Sequence, residues 1–275
     1  MLRALVVPTT EGCAAVGDEV RIYALHCGGD LSDMAVFDPF DERVGTKAYN
    51  PYFMYVIAHP SGTVLFDSGV HPEVATDPGA RLGEAAATFA VEMGPEDHIE
   101  RRLASIGLTP RGIDLVVQSH LHFDHAGGLE WLTHAPVLVQ RAELEFAFDP
   151  PVYQRDIYAR ADFDCGVTWQ ELDGDHDIFG DGVLTIVSTP GHTRGHQSLL
   201  VRLASRTVFL LADAAYLVGK MRARLLPAVI WSPDVMIATW DRVEALEREH
   251  DALLVATHEL DFRERVRMAP DAWYE

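Results

Sequence analysis

Four β-rich runs in this chain lead into residues of the kind that bind metals. Residues 115–119 run into His120, 184–188 into the loop that holds His192, 208–211 towards Asp213, and 253–257 into His258. Imidazole and carboxylate are the usual ligands of Zn²⁺ and similar first-row ions. An α/β scaffold builds a site from distant sequence by bringing strand ends to one edge, so the pattern predicts a fold in which these four ends converge. Residues 64–67, 137–140 and 198–203 read as further strands. Most of these runs are dense in Val, Leu and Ile rather than alternating, as strands covered on both faces are.

The richest segment is Ser119-His120-Leu121-His122-Phe123-Asp124-His125-Ala126-Gly127-Gly128. His120 and His122 are two apart, so on an extended strand end they point to the same side. Asp124 and His125 follow after the chain turns, and can face a second ion from the same loop. Gly127 and Gly128 are expected to let the backbone turn tightly and pack close to the ions. The chain has 13 histidines. His26, His59, His71, His98, His134, His176 and His250 have no partner at ligand spacing and read as core or surface residues. His196 lies four after His192 but precedes a strand-like run, so it reads as a support for ligands. Asp67, in Asp67-Ser68-Gly69, reads as a turn residue behind the ligands.

Helical patterns separate the strands. Ile99, Leu103 and Ile106 share a face over residues 96–107, which end at Gly107. Residues 233–249 form the clearest helix: Ser232 is a good N-cap, Pro233 suits the first turn, and Met236, Trp240, Val243 and Leu246 make the buried stripe. Two stretches look like insertions, residues 34–53 with Phe37, Phe40, Tyr49, Tyr52 and Phe53, and the partly irregular 141–181.

At 275 residues the chain can bury a real core as one large domain or two small ones. Its first ten residues hold too short an apolar run for a signal peptide, and no uncharged stretch approaches a membrane span. Cys13, Cys27 and Cys165 are too few and scattered for a disulfide framework, which fits a reducing cytoplasm. The net charge of −20 disfavours a nucleic-acid partner and makes a neutral substrate the easier match.

The motif series resembles the metallo-β-lactamase superfamily and, within it, the N-acyl homoserine lactonases. The resemblance runs from Phe66-Asp67-Ser68-Gly69 to His258. It implies one domain over residues 1–275 with an αβ/βα sandwich fold, two mixed sheets face to face with helices outside. It also implies two divalent metal ions per chain, zinc foremost, with Co, Mn and Fe suited to the same donors. His120, His122 and His192 would bind the first ion, Asp124, His125 and His258 the second, and Asp213 would bridge both. Asp213-Ala214-Ala215-Tyr216 matches the lactonase pattern Asp-x-x-Tyr, and the segments 190–199 and 258–270 look like that branch too.

The activity so implied is ring opening of N-acyl homoserine lactones, of the quorum-quenching type, by attack of a metal-bridging hydroxide. Tyr216 would stabilise the carbonyl oxygen and Asp124 would shuttle the proton. The aromatic-rich stretches 34–53 and 146–169, with residues 225–231, are candidates to line an acyl groove. The partners expected are a small neutral lactone, no nucleic acid and no membrane, and a homodimer is the assembly entertained. The alternative within the fold is another small lactone or a thioester, as in pyridoxolactonase-like or glyoxalase II-like enzymes. Arg194 is then the candidate for holding a carboxylate. An iron redox protein would need a flavin domain that this length does not accommodate, and a binding protein without activity would be expected to have lost ligands.

Overall fold

The structure is a computed structural model that describes residues 19–87 and 89–275. The amino-terminal run and Cys13, read above from sequence, lie outside the described residues. Among the described residues, twelve strands form two sheets. The first contains β1 (Arg21–Asp33), β2 (Lys47–His59), β3 (Gly62–Phe66), β4 (Val91–Glu92), β5 (Leu115–Val117), β6 (Pro136–Gln140) and β7 (Thr168–Leu172), in the order β4-β1-β2-β3-β5-β6-β7. The second contains β8 (His176–Asp177), β9 (Leu184–Ser188), β10 (Gln197–Arg202), β11 (Thr207–Ala212) and β12 (Ala252–Ala256), in the order β12-β11-β10-β9-β8. Both sheets are mixed. β3, β5, β6 and β7 run parallel, as do β11 and β12, and the other pairs are antiparallel.

Alternation along the strands builds three apolar layers. Val64, Phe66, Leu115 and Val117 meet Leu199, Val201, Val208 and Leu210 in the core between the sheets. Their neighbours Leu65 and Val116 turn the other way, onto Ile99 and Leu103 of the helix Ile99–Ser105. On the far face of the second sheet, Leu200, Phe209 and Leu211 pack on Met236, Trp240 and Val243 of the long helix Pro233–His250. This is the αβ/βα sandwich. Full burial of each such side chain contributes about 1.5–3 kcal/mol, and the dense Val/Leu/Ile runs follow from having a layer on each side.

The long helix begins where its cap predicts, with the Ser232 hydroxyl accepting from the Val235 N–H at 3.4 Å and Pro233 in the first turn. It ends on Asp251, in a left-handed conformation at φ 47°. The Trp240 indole donates to the Ala214 carbonyl at 2.6 Å, tying the helix to the loop that follows β11.

The stretch 34–53 differs from the reading as an insertion. Only Met34–Phe37 and the turns to residue 46 interrupt the sheet, and Lys47–His59 is strand β2, paired with β1 on one side and β3 on the other. Pro51 concealed it, because a central strand rarely tolerates proline. Here Pro51 stands opposite Gly29, next to the register shift between His26 and Gly29 that loosens the ladder. Residues 141–181 combine the helix Arg141–Phe148, short helical turns and the edge strands β7 and β8.

Candidate metal centre

The strand ends predicted to converge do so at one rim of the sandwich. His120, His122 and His125 come from the segment after β5, His192 from the loop between β9 and β10, Asp213 from the end of β11 and His258 from the end of β12. Two residues in left-handed conformations shape the approach. Asp67, at the end of β3, has φ 61°, and Ala212, just before Asp213, has φ 45° at a register shift between β11 and β12. Aspartate visits that region more readily than most residues, whereas alanine there is strained, as backbone beside functional groups often is.

The side chains form two groups that share one carboxylate. His120 Nε2 lies 2.9 Å from His122 Nδ1 and 3.2 Å from His192 Nε2, and the last two nitrogens are 3.0 Å apart. Asp213 Oδ2 faces this group, 3.2 Å from His192 and 3.9 Å from His120. Its other oxygen lies 3.3 Å from His125 Nε2 and 3.1 Å from His258 Nε2. Asp124 Oδ2 completes the second group, 3.3 Å from His125 and 3.8 Å from His258. The Asp124 side chain is 12% exposed and that of every other member 3% or less, so Asp124 stands on the solvent side.

The outward nitrogens fix the tautomers. His192 Nδ1 donates to the Val229 carbonyl at 2.9 Å and His258 Nδ1 to the Pro51 carbonyl at 3.0 Å. His125 Nδ1 donates to Asp67 at 2.9 Å. Ser119 gives its hydroxyl proton to Asp67 at 2.8 Å and accepts from His120 Nδ1 at 3.0 Å. Each Nε2 of these four imidazoles therefore faces inward, where it can offer a lone pair to a cation. Lone pairs that close repel unless a cation lies between them. His125 Nε2 and Asp213 Oδ1 are buried without a hydrogen bond, and so is His122 Nε2. Burial, helped by the neighbouring imidazoles, pushes His120 and His122 well below the usual histidine range and keeps them neutral. The donor set fits two divalent ions with Asp213 between them. Within it, His120/His122/His192, His120/His125/Asp213 and Asp124/His125/His258 are sets whose ligand atoms lie within 4.8 Å of one another.

Tyr216 sits against the cluster, its ring 4.8 Å from that of His258 and 5.5 Å from that of His192. Burial raises its pKa well above the phenol range, and Asp213 and Asp124 raise it further, so the hydroxyl keeps its proton. Its flank is apolar, with Met34, Phe37 and Leu217. The stretches proposed to line a groove also reach the site: the Ala228 N–H donates to the Val36 carbonyl at 3.0 Å, and Gln154 Nε2 donates to the His192 carbonyl at 2.9 Å.

Several supporting residues carry no signal in the sequence. Gln118 Nε2 donates to the His120 and His125 carbonyls at 3.1 and 2.6 Å, and Glu143 braces the loops from behind. Their partners are mostly backbone groups, which no side-chain pattern announces. His196 supports rather than joins the cluster: it accepts from the Asp213 N–H at 3.1 Å, and burial lowers its pKa to about 3. Gly127 and Gly128 serve a different purpose from the one expected. A side chain on either would strike the 68–71 turn, the Cβ falling 2.1 Å from His71 N and 2.4 Å from Ser68 O respectively. The seven histidines read as core or surface residues join none of the ligand sets. His71, for example, pairs with Glu130 at 2.8 Å. Cys27 is buried and Cys165 half-buried, both free. No helix among the described residues is long and apolar enough to cross a membrane.

A family profile described as the metallo-beta-lactamase superfamily matches residues 50–258. The chain is 34% identical over 259 residues to the N-acyl homoserine lactonase AttM of Rhizobium radiobacter, covering 92% of this chain and 98% of that one. It is 27% identical over 223 residues to the N-acyl homoserine lactonase AiiA of Bacillus thuringiensis subsp. kurstaki, covering 80% and 86%. Among solved structures, an N-acyl homoserine lactone hydrolase with the product N-hexanoyl-L-homoserine at its catalytic metal centre superposes with a TM-score of 0.82. That match has 24% identity over 92% of this chain and 98% of the other, a likeness of fold.

Proposed function

The chain belongs to the metallo-β-lactamase superfamily and, within it, to the N-acyl homoserine lactonase family, and from that membership we propose that it opens the ring of N-acyl homoserine lactones with two divalent ions held by the cluster. As a member it is a metal-dependent hydrolase acting on a carboxylic ester. The observation that carries the two-ion reading is the ring of inward-facing imidazole nitrogens around a shared, buried Asp213. His120, His122 and His192 would hold one ion, Asp124, His125 and His258 the other, and Asp213 both, with zinc the first candidate. Bound there, the ions would polarise the ester carbonyl and make water nucleophilic at neutral pH.

The remaining chemistry falls to the chain's own groups. Tyr216 keeps its proton and so can donate to the carbonyl oxygen as negative charge builds on it. Asp124, on the solvent side, would take the proton from the attacking water and return it to the alkoxide that leaves the ring. The product is an N-acyl homoserine.

A neutral substrate suits the surroundings. A cavity of about 480 Å³ is lined by Leu217 and Glu259, which directly follow Tyr216 and His258 in sequence, with Gly219, Leu260 and further charged residues. Its cations are already matched: Lys220 pairs with Asp38 and Asp41 at 2.7 and 2.8 Å, and Arg265 with Asp261 at 2.6 Å. A glutathione thioester, with two free carboxylates, would find no spare positive charge there.

The test is proton release in weak buffer by zinc- or cobalt-loaded protein given short- and long-chain N-acyl homoserine lactones, with γ-lactones lacking the amide as controls. Turnover of the acyl homoserine lactones that is lost on chelation, and reduced by about 10²–10⁴-fold in Asp124→Asn, is expected. Equal turnover by the Asp124→Asn variant would sink the proton-transfer role. Turnover of thioesters alone would move the substrate elsewhere in the superfamily.

A further inference from the structure

Glu143 lies in the first turn of the helix Arg141–Phe148 and is completely buried. Its carboxylate gathers four donors from three separate segments. Oε1 accepts from the Leu121 N–H and from the Tyr158 hydroxyl, both at 3.0 Å. Oε2 accepts from the Thr193 hydroxyl at 2.5 Å and the Gly195 N–H at 3.2 Å. Leu121 lies between His120 and His122, and Thr193 directly follows His192. One side chain thus joins the two loops that supply the three-histidine group. Gly195 is what lets the second loop come so near, since a Cβ there would fall 2.1 Å from the Glu143 nitrogen.

The surroundings of this group are also informative: burial pushes its pKa up, and the four hydrogen bonds oppose that rise. All four donors are neutral, and among the described residues Glu143 makes no ion pair with a lysine, arginine or histidine. A buried carboxylate without a counter-charge is costly unless well hydrogen-bonded or near a cation.

We propose that Glu143 is a positioning residue for the three-histidine half of the centre, setting the spacing of the His120–His122 and His192 loops and thereby the affinity of that half for its ion. The proposal rests on the two-ion reading above. Outer partners that orient metal ligands are typically worth about 10–100-fold in affinity. Glu143→Gln keeps the shape but replaces one oxygen by an NH₂ group. The Tyr158 and Thr193 hydroxyls can turn to suit it, but the Leu121 and Gly195 N–H groups cannot, so one of them is left facing a donor.

The experiment titrates the metal-free full-length chain with cobalt(II), following visible absorption and heat. It compares wild type, Glu143→Gln, His192→Ala and the double variant. Wild type should take up two ions. Glu143→Gln should weaken one of them by about 10–100-fold and spare the other. The weakened ion should be the one that His192→Ala removes, so the double variant should look like His192→Ala alone. Unchanged affinities in Glu143→Gln, or equal weakening of both ions, would overturn the proposal. Uptake of fewer than two ions by wild type would overturn the two-ion reading itself, and would be seen before any substitution is considered. Should Glu143→Gln fail to fold, Thr193→Val removes the shorter of the two hydrogen bonds to the His192 loop and leaves the Leu121 bond in place. It must weaken the same ion, and no change there overturns the proposal equally.

Discussion

The protons of the cluster are arranged by groups outside it. Asp67, Ser119 and the carbonyls of Val229 and Pro51 each take the outer N–H of one imidazole and so aim its lone pair inward. The imidazoles themselves were legible, because residue type and spacing carry ligand chemistry. Most of their partners were not, since any residue at position 229 supplies a carbonyl and nothing marks it. Tyr216 can be tested at this scale. If its hydroxyl meets the developing oxyanion, Tyr216→Phe should lower kcat by about 10–100-fold, at or below the usual loss for one such donor. Cobalt stoichiometry should stay at the wild-type value. A fall in kcat that only tracks a loss of metal would make Tyr216 a structural residue instead.

Among the elements, the loop that carries His192 is held from several sides. Gly191, at φ 140°, places its α-carbon against the long helix, and a Cβ there would fall 2.6 Å from the Met236 Cα. Its carbonyl accepts from the Trp231 and Ser232 N–H groups at 2.8 and 3.1 Å, so the start of the helix hangs from this loop. Gly191→Ala must push the helix and the loop apart. A loss of about 1–3 kcal/mol in a urea titration is expected, the usual cost of overpacking, with weaker cobalt binding alongside it. A variant as stable as wild type would show that the helix can yield. The helix itself was plain from its 3.6-residue stripe and its cap. The β1–β2 hairpin was hidden for opposite reasons. Apolar residues fill both faces of β2, leaving no alternation to read, and Pro51 and Gly28-Gly29 look like breaks when they mark an irregular stretch of ladder beside the site. Glu143 was hidden too: an acid in the first turn of a helix reads as an ordinary partner of the helix dipole.

Over the whole molecule, the carboxy-terminal segment folds back onto the first strand. Tyr274 and Met268 bridge to Ile22 and Ala24, and the helix Phe262–Arg265 lays Phe262 flat on His26, ring centroids 5.1 Å apart. Burial lowers the pKa of His26 to about 4, Arg102 and Arg263 adding to the effect and Asp97 opposing it. The folded value lies below the unfolded one of about 6.5, so only the unfolded chain takes up this proton as pH falls from 6.5 towards 4, and stability declines over that interval. His26→Leu should remove the effect. Its loss of stability between pH 7 and pH 5, from urea midpoints, should be smaller than that of wild type by about 1 kcal/mol, a figure discounted for partial exposure. Parallel pH curves for the two proteins would show that His26 does not contribute. The layout of the rim has a further consequence, for the order in which the protein comes into being. His258 closes β12, which lies beside β11 only after the long helix has been made. Ribosomes release chains from the amino end, so His120 and its neighbours wait while the whole stretch from β6 to β12 is made before their last companion appears. Under the proposed assignment the second ion has no complete berth until β12 and the residue that closes it have been made, so it is loaded after the segment that supplies the first three histidines has long been in place.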